Sequence, residues 1–176
     1  MNQIAVQVDE MLLAGAETSA TFILWALYML GREPETQKRV HDELDEQYKG
    51  NEADNTNDPE KDKTCNSIKL ASIKKNCPFT MAAFMEAIRF TCPLTLPFPR
   101  RAEDNVEFEN FLIPKDSLIL QNMWAGNHDP RIWKNPNSFD PSNFFDESSK
   151  QVINADNFIP FSVGMHSAKS LKSSNF

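Results

Sequence analysis

The sequence predicts a mainly α-helical fold with a few short β-strands, and three observations carry that expectation. A long apolar stretch opens the chain and runs from about Gln3 to Leu30, before Gly31 and Pro34 interrupt it. Pro34 and Pro78 each stand where the first turn of a helix accepts proline, whose missing N–H has no partner to lose there. From Pro93 onward prolines recur so closely that only strands, turns and short helical pieces fit. The 176 residues suit a single domain, and 40% hydrophobic residues with thirteen Phe and three Trp supply material for a core.

Within the first helix, Met11–Leu30 has the length that crosses a bilayer. Glu17 lies inside it, a carboxylate that costs several kcal/mol in lipid, and Asp9 and Glu10 precede it where a secretory leader is basic. The expectation is a buried protein helix and no membrane anchor. A second helix starts at Pro34 and reaches roughly Tyr48, with Glu35 and Arg39, and Lys38 and Asp42, spaced as ion pairs on a solvated face. Residues 50–63 hold no strong hydrophobe and are expected as a mobile polar loop. Pro78 opens a third helix, Phe79–Phe90, with Met81, Phe84, Met85 and Ile88 as an apolar stripe. Strands are expected at Val106–Phe108 and Ser117–Met123, with a turn at Ile113–Asp116 between them. Past Trp124, Asp129-Pro130, Asn135-Pro136 and Asp140-Pro141 predict an irregular meander.

The formal charge of −7 leaves no basic stripe to neutralise phosphates, which excludes nucleic acid as a partner. Cys65, Cys77 and Cys92 form no CxxC pair, so no structural zinc site is expected, and their odd number suits reduced cytosolic thiols.

Several groups could carry chemistry. Glu17 and Thr18 sit in an otherwise apolar helix, where both need hydrogen-bond partners; the plain solution is Thr18 bonding back to a carbonyl one turn earlier. Glu86 and Arg89 share a helix face and can pair, although Glu-x-x-Arg is common on surface helices. Arg100 or Arg101 could meet a carboxylate ligand with a guanidinium fork, or form an exposed pair answering Glu103 and Asp104. His41 belongs among solvated charges, and His128 in its His-Asp-Pro turn reads as a local capping residue.

The order of these features is similar to the cytochrome P450 superfamily. The resemblance rests on Ala14-Gly15-Ala16-Glu17-Thr18-Ser19 and Glu86-x-x-Arg89, then on Pro99-Arg100-Arg101, Trp124, His128-Asp129-Pro130 and Phe139-Asp140-Pro141-Ser142-Asn143-Phe144. It closes on a run resembling the haem loop Phe-x-x-Gly-x-Arg-x-Cys-x-Gly. There Phe161 and Gly164 fill their places, while His166 stands for Arg, Ala168 for Cys and Ser170 for Gly.

The resemblance implies a partial cytochrome P450 fold: central long helix, Glu-x-x-Arg helix, strand pair, meander and degenerate haem loop. Residues 1–176 would form one incomplete domain of the animal microsomal type, with an aberrant tail at 165–176. It implies haem as cofactor, Glu17 and Thr18 as proton-handling residues, and Ala14, Gly15, Arg100, Phe161, Gly164 and His166 around the haem. Glu86, Arg89 and Asn143 would be a structural set. The family's partners are an NADPH-dependent flavoprotein reductase and small lipophilic substrates, at the cytosolic face of the endoplasmic reticulum membrane. The family activity inserts one oxygen atom of O₂ into small apolar organic substrates. Ala168 occupies the axial-ligand position and has no lone pair, so the expectation for this chain is an inactive fragment, cytoplasmic without an anchor. The alternative is a non-catalytic haem-binding or protein-interaction remnant.

Overall fold

A computed structural model describes residues 3–54, 73 and 75–160. Residues 55–63 of the expected loop and the 165–176 tail lie outside them. Helix α1 spans Gln3–Arg32 and α2 spans Pro34–Asp54, with Glu33 between them. Pro34 has no N–H to continue the ladder, but its ring suits a helix start, so the chain breaks and begins again. Helix α2 runs past Tyr48 into the segment expected as loop, because helix propagates readily once nucleated and no proline intervenes before Pro59. Helix α3, Pro78–Thr91, ends at Cys92, which adopts a left-handed conformation (φ 42) and donates its N–H to the Ile88 carbonyl. Pro93 then bars any further turn.

Among the described residues three antiparallel strand pairs follow. Strand β1 (Arg100–Arg101) pairs with β4 (Leu118–Ile119), placing Arg100 opposite Ile119. Between them β2 (Val106–Phe108) and β3 (Phe111–Ile113) form a hairpin, and β5 (Phe145–Asp146) pairs with β6 (Gln151–Val152). The expected Ser117–Met123 strand is thus shorter, and β1, β3, β5 and β6 were not anticipated. Met123 instead begins a short helix, α4 (Met123–Asn127), because the Asn122 side chain caps it by accepting from the Ala125 N–H.

The core joins α2, α3 and the meander: Val40, Phe79, Ala82, Ala83, Trp133, Phe144 and Phe145, with Leu30, Leu44, Met85 and Phe158 packed at its margin. Phe144 is fully buried, its ring 5.0 Å from Trp133 and 5.3 Å from Phe158. The stripe expected to dominate α3 is only half-buried. Its most buried face carries Phe79, Thr80, Ala82, Ala83, Glu86, Ala87 and Arg89, since small alanines let neighbouring segments approach closely. Phe84 turns to α1, meeting Phe22 at 6.2 Å.

Helix α1 departs furthest from expectation. It is not buried: of its described side chains only Ala26 and Met29 are enclosed, while Met11 is 76% and Leu24 67% exposed. The packing partners among the described residues are α2 and α3, which reach only part of its surface. By length and composition alone α1 could cross a membrane, a test that core helices of soluble proteins also pass.

Candidate functional site

The most constrained polar cluster lies where α3 meets the meander. Glu86 and Arg89 are both fully buried, one helical turn apart. Arg89 Nε donates to Glu86 Oε2 and Nη2 to Oε1, each at 2.7 Å. The remaining guanidinium hydrogens go to backbone carbonyls: Nη1 to Asn127 (2.6 Å) and Pro136 (2.9 Å), and Nη2 to Ser138 (3.0 Å). All five donors of the guanidinium are therefore engaged. Glu86 Oε1 also accepts from the Asp140 N–H at 2.8 Å and from Asn143 Nδ2 at 3.2 Å.

Asn143 is buried and works at three atoms. Its Oδ1 accepts from the Lys134 N–H, and its carbonyl accepts from Asn154 Nδ2 at 2.7 Å. A neutral amide here leaves one carboxylate and one guanidinium facing each other in the interior. Burial pushes the Glu86 carboxyl up, opposed by Arg89, the Asp140 N–H and Asn143. Among the described residues, the polar groups of this cluster bond to one another and to backbone atoms.

The other sequence-selected residues stand elsewhere. Ala14, Gly15, Glu17 and Thr18 lie on α1 and are exposed; Thr18 Oγ1 donates to the Ala14 carbonyl. That bond is the plain solution for a hydroxyl in a helix, and around Gly15 there is open space where a Cβ would sit. Arg100 is exposed on β1, and among the described residues it has no ion pair. Arg101 faces Asp116 at 3.8 Å rather than Glu103 or Asp104; Asp104 instead faces Lys115 at 3.9 Å. The hairpin register sets these partners. Phe161, Gly164, His166 and Ala168 lie outside the described residues, as does Cys65.

His41 is exposed, and His128 caps α4, stacking on Trp124 at 4.4 Å with Nδ1 3.0 Å from the Trp124 carbonyl. The expected Glu35–Arg39 pair is replaced by one between Arg39 and Glu147 at 2.8 Å, because the Arg39 guanidinium lies 3.8 Å over the Phe79 ring. Lys38 does meet Asp42, at 2.7 Å.

Sequence reasoning missed Glu43, Asn127 and Asp140. Glu43 bonds the first turn of α3, and a helix start at Cys77-Pro78 with no Ser, Thr, Asp or Asn cap was the available signal. Asn127 and Asp140 enter the cluster through backbone atoms, which leave no mark in a sequence.

Among the described residues, neither free thiol fits the role of an iron ligand. Ala168, which the resemblance sets at the ligand position, lies outside the described residues. Cys77 and Cys92 are buried free thiols pushed up by burial, Cys77 further by Glu43, while an amide bond from Asn127 opposes the rise at Cys92. A thiol held protonated is a poor iron ligand. Among the described residues no three His, Cys, Asp or Glu side chains group as a metal site.

Comparison with known proteins places this architecture. The family model "Cytochrome P450" matches residues 1–167. Human "Cytochrome P450 2U1" is 31% identical over 157 residues, 89% of this chain and 26% of the relative. "Steroid 17-alpha-hydroxylase/17,20 lyase" of Squalus acanthias is 30% identical over 166 residues, 93% of this chain and 29% of the relative. A solved structure, a "Zebra fish cytochrome P450" with progesterone, superposes with a TM-score of 0.70 at 27% identity, covering 90% of this chain and 32% of that one. The chain thus spans about a quarter of the length of the curated relatives it matches. With its long helix, buried Glu86–Arg89 fork and meander in the family's order, it belongs to the cytochrome P450 family.

Proposed function

We propose that the chain carries part of the scaffold of a haem monooxygenase and that, as it stands, it does not turn over. Family membership supports the first half: haem is the family's cofactor, and when bound it supplies oxygen activation. The parent reaction inserts one oxygen atom into a small apolar organic substrate, with electrons from an NADPH-dependent flavoprotein reductase at the endoplasmic reticulum membrane. Within that scheme Glu17 and Thr18 are the proton-handling pair, a carboxylate and a hydroxyl one residue apart. Gly15 would allow close approach of the haem beside Ala14, and Arg100 and His166 would be the donors to its propionates.

The single observation that carries the second half is Ala168, which the resemblance to the family's haem loop aligns with the axial-ligand position. An alanine has no sulfur to bind iron. The test is the ferrous–CO spectrum of the purified chain supplied with haem. No thiolate-type Soret band is expected, and its appearance overturns the inactive reading. Ala168→Cys separates causes: a thiolate band in that variant alone assigns the defect to the missing sulfur.

A second reading, a non-catalytic haem-binding or protein-interaction remnant, is favoured by the exposed apolar surface of α1. Haem titration of the chain and of His166→Ala tests its haem-binding form. Unchanged affinity in the variant removes His166 from it.

A further inference from the structure

Helix α3 begins without a cap of its own. Cys77 stands at its N-cap position and makes no side-chain bond to the first turn. Pro78 removes one orphan N–H, but those of Phe79 and Thr80 still need acceptors. Both are taken by a carboxylate from another helix. Phe79 N–H donates to Glu43 Oε1 at 3.0 Å, and Thr80 N–H and Oγ1–H donate to Glu43 Oε2 at 2.7 and 2.6 Å. Glu43 is 36 residues away from Phe79 in sequence, on α2.

One turn earlier on α2, Arg39 lies over the same Phe79 ring and pairs with Glu147 beside the β5–β6 hairpin. The Phe79 ring in turn meets Phe145 edge-on at 5.2 Å. Two charged side chains of α2 therefore grip the start of α3 and the hairpin, around one aromatic ring. A mere packing helix needs no such arrangement, because Val40 and Leu44 already supply its apolar contact.

We propose that Glu43 is a latch in trans: the first turn of α3 is ordered only while α2 is docked. Glu43 is a positioning residue that acts through α3. By fixing where α3 starts, it sets the height at which Glu86 and Arg89 reach the meander.

The experiment is amide hydrogen exchange on the whole chain, read at Phe79, Thr80 and Val40. Glu43→Ala accelerates exchange at Phe79 and Thr80 on the order of tenfold, the loss of a multiply bonded cap, and loosens Val40 with them. Adding Cys77→Ser supplies a local cap hydroxyl; it restores protection at Phe79 and Thr80 and leaves Val40 fast. That split is a result that lost packing alone cannot give. Where Glu43→Ala does not fold, Glu43→Gln keeps the volume and one acceptor, and shows the same pattern with a smaller rise. Exchange at Phe79 and Thr80 equal to the parent in these variants, or no recovery on adding Cys77→Ser, overturns the proposal.

Discussion

Arg89 and Glu86 meet in a two-bond fork at 2.7 Å with neither side chain exposed. Removing either partner leaves the other charged and buried, which costs about 3–5 kcal/mol. Arg89→Ala is therefore expected to lower stability by that amount, read as the shift in a urea midpoint. Arg89→Lys restores the charge but brings three donors without the planar fork, and abandons some of the carbonyls of Asn127, Pro136 and Ser138. It is expected to remain clearly less stable than the parent.

Asn143 tests the neutral third member. Asn143→Ala strands the Lys134 N–H and removes one donor from Glu86, a loss of about 1–3 kcal/mol. Asn143→Asp is isosteric, yet it sets a second carboxylate against Glu86. It is expected to be the less stable of the two at neutral pH and to recover as the solution is acidified, when one carboxyl of the pair takes up a proton. Urea midpoints of both variants across pH check the ordering.

The acid limb of stability has a definite sign. The Arg131 side chain and N–H hold the Asp129 carboxyl down to about 2. Lys150 and Arg39 lower Glu147, and the Ser149 and Ser148 bonds lower Asp146. Carboxyls lowered in the fold stabilise it above the ordinary carboxylate range, and that contribution is lost as pH falls through their folded values. Glu86 has the opposite sign: raised by burial, its contribution is complete below the ordinary range and fades as pH rises through its folded value. Among the described carboxyls, Asp129, Asp140, Asp146 and Glu147 are lowered and Glu86 is raised, so stability is expected to fall from about pH 5 to about pH 2. Arg131→Ala is expected to return the Asp129 titration midpoint, followed by NMR, toward about 4.

Phe144 tests the core. Its ring is fully enclosed between Trp133 and Phe158, so Phe144→Ala removes a large buried group and leaves a cavity. A loss of about 3–5 kcal/mol is expected in equilibrium unfolding.

Features that act locally were legible in the sequence. Pro34 and Pro78 each mark a helix start because proline constrains its own φ and its own N–H, and the spacing of Glu86 and Arg89 places them on one face of a helix. Partners set by tertiary approach were not. Arg39 has Glu35 at ion-pair spacing and still chooses Glu147, since the Phe79 ring beneath the guanidinium is contributed by another helix. Likewise, three of Arg89's five acceptors are carbonyls, and every residue offers a carbonyl. Hydropathy indicated that α1 needs covering, but hydropathy does not say what covers it. The haem-side residues were selected by resemblance; the geometry joins Thr18 to Ala14 and leaves Arg100 standing apart.

The reach of Arg89 along the chain has a kinetic consequence. Its acceptors at Asn127, Pro136 and Ser138 lie 38, 47 and 49 residues away. None of them can be in place until the meander has come back to α3, and loop closure over such spans must precede any return from the bonds. Until then the guanidinium lacks its three carbonyl acceptors, whatever hold α2 already has on the start of α3 through Glu43. The joint is therefore expected to close only once the meander docks on α3, and the entropy of closing those spans is the cost that its bonds must offset.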